Sequence, residues 1–180
     1  IRTLASTSST PTLAEIFALG EPRSFYLLDL KIDDLESLEP LVSVVRRSKI
    51  DTKKIAFQSD KLEILQRLEN KIPLSRRVFL TTLKRTRPFF LQPTADRILT
   101  AVSGYAIDGV SLKGRRFVDA EYISNLKAAG LKVYVWTIND IERISYYKSI
   151  GVDGVITDNY RAIEKRVRGN SGRFNLPPGG

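Results

Sequence analysis

Leu131–Asp158 reads LKVYVWTINDIERISYYKSIGVDGVITD, and the reading of this stretch decides the fold. Lys132–Ile138 and Asp153–Thr157 are short apolar runs rich in β-branched and aromatic residues, the composition of buried strands. Between them a helix-like segment ends at the turn Ser149-Ile150-Gly151. Strand, helix, strand with a short connection is the βαβ unit of a parallel sheet. The only tryptophan, Trp136, stands where the first run passes into the loop Thr137-Ile138-Asn139-Asp140. Such a residue either caps a core or lines a binding surface, and both readings stay open at this point.

Outward from this unit the same alternation recurs. Phe25–Ile32, Lys54–Gln58, Arg77–Thr81 and Tyr105–Leu112 read as four further strands. Helices are predicted over Leu13–Leu19 with Thr12 as cap and Glu15 in the first turn, over Leu35–Arg47 with Pro40 near its start, and over Lys61–Glu69 after Ser59-Asp60. Two more follow, from Thr94 to Val102 and from Val118-Asp119 to Ala129-Gly130. Lys84–Pro93 (KRTRPFFLQP) reads as irregular, and a basic helix is expected to about Arg168. Residues 1–10 are a flexible lead-in, 11–168 a single domain, and 169–180 a Gly/Pro tail. Six strands alternating with helices make a parallel α/β protein, two units short of a (β/α)₈ barrel.

Composition narrows the chemistry. Of 180 residues none is His, Cys or Met. Without cysteine there is no disulfide or thiol chemistry. Without histidine this sequence has no Ser–His or Cys–His pair and lacks the commonest metal ligand. The absence of an initiator methionine predicts a start after a processing or truncation point. A net charge of +9 favours anionic partners, nucleic acid among them, although a solvated surface gives the same count. No apolar run approaches the roughly 20 residues of a membrane span, and no secretory signal is visible, which favours an intracellular or organellar location.

Asp29 and Lys31 are two apart on a predicted strand and so share a face, where either a structural ion pair or a functional remnant fits. Asp108-Gly109 and Asp153-Gly154 suit turns into strands, with glycine relaxing the backbone. Arg76-Arg77, Lys84-Arg85-Arg87 and Arg115-Arg116 form basic clusters near Phe89 and Phe90, but no RNA-binding motif accompanies them.

The blocks IDGVSL (107–112), FVDAEYISNLKAAGLKVYVWTINDIERI (117–144) and GVDGVITD (151–158) resemble, in order and spacing, the glycerophosphodiester phosphodiesterase family of (β/α)₈ barrels. PTLAEIFAL (11–19) looks like the helix before that family's third strand. LLDLKI (27–32) stands at its acidic-x-Lys motif, and IAFQSD (55–60) at the strand that follows. The resemblance therefore covers the third to eighth strands of an incomplete TIM-barrel-like fold. It implies that Asp29 occupies a metal carboxylate position (usually Glu), that Lys31 acts in catalysis on the phosphate, and that Trp136 is the aromatic wall beside the substrate. The family's His-Arg-Gly on its first strand, and the acidic pair and second histidine that follow, have no counterpart in this sequence. After its final Thr-Asp the family has a residue and then proline, whereas Asn159-Tyr160 follows here.

The resemblance implies metal-dependent hydrolysis of a glycerophosphodiester, or a lysophospholipid-type substrate, to glycerol phosphate and an alcohol. A complete member would use Mg²⁺ or Ca²⁺. This chain alone is expected to hold no ion tightly and to be inactive, since a lone carboxylate cannot satisfy a hard cation. The alternative is a non-catalytic basic subunit whose open sheet edges are covered by a protein partner.

Overall fold

Thr12 fixes the first helix as its sequence predicts. Its hydroxyl accepts the Glu15 N–H while its own N–H donates to the Glu15 carboxylate at 2.7 Å, a reciprocal cap that starts α1 (Leu13–Leu19). The computed structural model describes residues 10–20, 24–81, 84–86, 89–91, 93–115, 118–161 and 163–164, the side chains of 84–86 and 89–91 excepted. The expected lead-in before residue 10, the helix beyond residue 164 and the tail lie outside the described residues.

After α1 the elements run β1 (Tyr26–Asp29), α2 (Leu38–Arg47), a short 3₁₀ turn (Thr52–Lys54), β2 (Ile55–Ser59), α3 (Leu62–Lys71) and β3 (Arg76–Leu80). Then come β4 (Lys84–Thr86), β5 (Phe89–Leu91), α4 (Ala95–Val102), β6 (Gly109–Lys113), α5 (Ala120–Ala128), β7 (Lys132–Trp136), α6 (Ile141–Ser149) and β8 (Gly154–Val155). Six strands form one sheet in the order β1-β2-β3-β6-β7-β8. The pairs β1–β2, β2–β3 and β7–β8 are parallel. The fold class read from the sequence is the one observed, an incomplete TIM-barrel-like α/β fold of six parallel strands.

Contacts divide the chain into two units, residues 1–80 with 100–110, and residues 81–99 with 111–180. In the first, Ile55 and Phe57 of β2 pack with Val42 and Val45 of α2 and with Ile64, Leu65 and Leu68 of α3, all at most 2% exposed. Tyr26, Leu28 and Leu30 pack against the same cluster. Because strand side chains alternate, Leu27, Asp29, Ala56 and Gln58 fall on the opposite face of this part of the sheet. In the second unit α5 lies against β7, burying Ile123 and Leu126 with Val133 and Val135. That leaves Tyr134 and Trp136 on the other face of β7.

Several local expectations are corrected. Lys84–Pro93 is not irregular throughout: β4 and β5 pair antiparallel, Lys84 opposite Leu91 and Thr86 opposite Phe89. Lys-Arg-Thr carries no apolar alternation, so the pairing rather than its own pattern makes it a strand. The helix placed at Leu35 begins at Leu38, because Asp34 draws the Ser37 N–H and hydroxyl into a turn, both at 2.7 Å. Pro40 then falls in the first turn, where its missing N–H costs nothing. The strand expected from Tyr105 begins only at Gly109, since Tyr105 N–H and Ile107 N–H bond within the chain to Val102 and Tyr105 carbonyls. The Phe25–Ile32 run is a strand only over Tyr26–Asp29.

Candidate functional site

Asp29 is the last residue of β1, and beyond it Leu30 N–H still donates to Gln58 O at 2.8 Å, so the backbone stays in register toward Lys31. Lys31 Nζ lies 3.1 Å from Asp29 Oδ1 and 3.0 Å from Oδ2, capping both oxygens. The Lys31 side chain is 72% exposed and that of Asp29 25%. A pair so exposed is worth about 0–1 kcal/mol, too little to be a structural necessity. Gln58, opposite Asp29 in the β1–β2 register, is buried, and its Oε1 has no hydrogen-bond partner among the described residues. Three polar side chains thus gather where β1 and β2 end, at the C-terminal ends of the strands.

Trp136 belongs to the second unit. It ends β7, where its carbonyl accepts the Gly114 N–H at 2.8 Å, and Lys113 Nζ stands 5.6 Å from its ring centroid. Its indole Nε1 is buried without a partner among the described residues, as is Ser111 Oγ. Ser111 and Lys113 are alternate residues of β6, so they share the face on which Lys113 meets Trp136.

The loop after Trp136 is tied down by Asn139. Its Oδ1 accepts the Thr157 hydroxyl at 3.0 Å and the Asp158 N–H at 2.9 Å, joining the ends of β7 and β8. Thr157 Oγ1 in turn accepts the Asn159 N–H at 3.1 Å, and Asn159 O accepts Ile163 N–H, so a helical turn starts where the family has proline. Sequence reasoning passed over Asn139, Ser111, Lys113 and Gln58. Only the Asn-Asp and Thr-Asp pairs after successive strands hinted at such a link.

The two Asp-Gly pairs do a structural task at the opposite ends of the strands. Asp108 N–H donates to Arg77 O while its carboxylate accepts the Arg77 N–H at 2.8 Å. Asp153 repeats this with Val133, its N–H donating at 2.8 Å and its carboxylate accepting at 3.0 Å. Burial raises the Asp153 pKa, but the Val133 N–H, Lys132 and Lys127 outweigh it and hold the carboxyl below its ordinary value. Gly154 has no left-handed backbone. It is glycine because a Cβ there would sit 2.8 Å from the Tyr134 ring, a steric reason in place of the expected relaxed turn. Arg77 also leaves the predicted basic cluster: it is 8% exposed, bonded to Ala106 O and paired with Asp108 at 3.0 Å.

Among the described residues no group of three or more His, Cys, Asp or Glu is placed to hold a metal ion. Asp29, with Lys31 on both its oxygens, does not by itself fit a divalent cation.

Residues 27–162 match the model of the glycerophosphoryl diester phosphodiesterase family. The chain belongs to that family. Among solved structures it is similar to a protein of Silicibacter pomeroyi assigned as a glycerophosphoryl diester phosphodiesterase, with TM-score 0.71 and 22% identity over 90% of this chain and 57% of that one. It is also similar to the glycerophosphodiester phosphodiesterase of Thermotoga maritima, with TM-score 0.63 and 19% identity over 87% and 63%. A third, an Oleispira antarctica phosphodiesterase solved with the product sn-glycerol-3-phosphate, gives TM-score 0.59 and 23% identity over 78% and 54%. At these identities the likeness shows the fold, and this glycerophosphodiesterase-family chain spans less than two thirds of each of these proteins. No curated protein matches it. Among the described residues no helix is long and apolar enough to cross a membrane.

Proposed function

We propose that this chain carries the third to eighth strands of a glycerophosphodiester phosphodiesterase barrel, and that the substrate phosphate is addressed from the end of β1. The observation that carries this reading is the Asp29–Lys31 pair, which the resemblance sets at the family's acidic-x-Lys position, with the Lys31 side chain 72% exposed. Lys31 neutralises negative charge that develops on the phosphate oxygens, and Asp29 holds the ammonium in place. Asp29 is one ligand of a divalent site only when further carboxylates are supplied from outside this sequence. Trp136 is the aromatic wall on the glycerol or alcohol side of the substrate. In a complete barrel the reaction is hydrolysis of a glycerophosphodiester to glycerol phosphate and an alcohol.

Alone, the chain is inactive, because the two histidines and the paired carboxylates implied by the resemblance are not in it. Assay of the chain on glycerophosphodiesters with Mg²⁺ or Ca²⁺ tests this, with no turnover as the expected result. Turnover that disappears in Asp29→Ala would show that the chain is catalytically sufficient and overturn the inactive reading.

A second reading, a non-catalytic basic subunit, is favoured by one observation. β1 and β8 end the sheet, and Phe25, just before β1, is 71% exposed. An unpaired parallel edge beside an exposed aromatic ring is a surface that a partner covers. Light scattering distinguishes the two states: a stable, soluble monomer counts against the subunit reading.

A further inference from the structure

Aromatic walls in binding sites commonly recognise quaternary ammonium groups through the electron-rich ring face. In the second unit that option is already taken. Lys113 Nζ stands 5.6 Å from the Trp136 ring centroid, in the position an ammonium ligand would occupy. Lys113 makes no ion pair among the described residues. Two further polar atoms on this face, Ser111 Oγ and Trp136 Nε1, have no hydrogen-bond partner among the described residues. Ser111 is fully buried with an unpartnered hydroxyl, and the buried Trp136 Nε1–H donates and cannot accept. A buried donor left without an acceptor costs about 1–3 kcal/mol, so an acceptor that reaches these atoms is stabilising. The Gly114 N–H to Trp136 O bond keeps the ends of β6 and β7 side by side, which holds Lys113 over the ring.

We propose that Ser111, Lys113 and Trp136 form an anion-selective subsite that takes an acidic, hydroxyl-rich group such as a polyol phosphate and rejects a quaternary ammonium such as choline. Lys113 supplies the charge that the anion meets and repels a second cation from the ring, and Ser111 and Trp136 Nε1 donate to hydroxyl or phosphate oxygens. This rests on the proposed phosphodiester reading only for which part of a substrate arrives here. It makes Lys113 a specificity-determining residue.

Trp136 is the only tryptophan, so its emission, excited where tyrosine does not absorb, reports this subsite alone. The whole chain is titrated with sn-glycerol 3-phosphate, glycerophosphoinositol, glycerophosphocholine and tetramethylammonium. Saturable changes are expected with the first two, roughly tenfold weaker binding of glycerophosphocholine, and no response to tetramethylammonium. Lys113→Met should weaken the anionic probes and strengthen the choline probe, with Lys113→Gln as the second variant where Met disturbs folding. Saturable binding of the choline and inositol diesters with equal affinity, no effect of either substitution, or no response of Trp136 to any anionic probe in the folded chain overturns the subsite. Lys113-dependent binding of sn-glycerol 3-phosphate with no binding of either diester sinks the phosphodiester reading and leaves the subsite standing.

Discussion

Asp153 places one carboxylate against a strand N–H and two ammonium groups, with Lys132 Nζ at 3.0 Å and Lys127 Nζ at 3.4 Å. Its side chain is 16% exposed, so these bonds are shielded from water and contribute to stability. Because the folded pKa is lowered, that contribution is fully present above the ordinary aspartate pKa and is lost as the pH falls through the lowered value. Asp153→Asn should cost about 1–3 kcal/mol at neutral pH, with the gap to the parent closing on acidification, as measured by urea unfolding across the acid limb. Arg77 offers a contrast with Lys31. Removing Asp108 leaves a guanidinium that is 10% exposed without its charge partner, so Asp108→Ala should destabilise by about 3–5 kcal/mol. Lys31→Ala should change stability by less than about 1 kcal/mol, because its ammonium is largely in water. Lys31 has its acid two residues away and Arg77 has its acid 31 positions away, and burial separates the two pairs.

At the level of elements, α1, α5 and α6 start at side-chain caps, α2 and α3 start without one although Ser59-Asp60 suggested a cap for α3, and the strands obey their neighbours. Asp140 closes α6 by accepting the Arg143 N–H at 2.9 Å, and Asp119 does the same for α5 through Tyr122 N–H. Asp140→Ala should therefore cost about 1 kcal/mol in thermal unfolding. It should also leave the glycerol phosphate response of Trp136 intact, since Asn139 rather than Asp140 ties the neighbouring loop to β8. In the first unit Leu65 is fully buried between α3 and the sheet, and Leu65→Ala should cost about 2–5 kcal/mol in the same measurement. While the Asp140 cap was read only as loop, the helix starts at Thr12 and Asp119 were legible because a cap is a local bond between residues three apart. The β4–β5 pair was not, because a strand that is basic and three residues long owes its state to its partner.

For the molecule as a whole, belonging to the family and having its activity are separate matters. Residues 27–162 match the family, yet the chain spans 57% of the Silicibacter pomeroyi relative. A chimera that joins the first two strands of the Thermotoga maritima relative to this chain should hydrolyse glycerophosphodiesters in the presence of Mg²⁺ or Ca²⁺. In that chimera Lys31→Ala should lower kcat by about 10²–10³, the loss typical for one group that stabilises developing charge. A chimera that folds and binds sn-glycerol 3-phosphate but never turns over would argue that β1 and β2 are no longer part of a catalytic site.

The sequence by itself determined the alternation of strand and helix, the family, and the positions of Asp29, Lys31 and Trp136, because periodicity, caps and motif spacing are properties of the chain. It left the Asp29–Lys31 pair open between structural and functional readings, and the folded protein adds only that the Lys31 side chain is 72% exposed and that of Asp29 25%. Only the tertiary structure decided that Asp108 and Asp153 secure neighbouring strands, that Arg77 is buried, and that Lys113 covers the face of Trp136. Each of these joins residues about 20 or more positions apart. Burial and cross-strand contact over such separations arise from packing the strands together, and no local pattern records them.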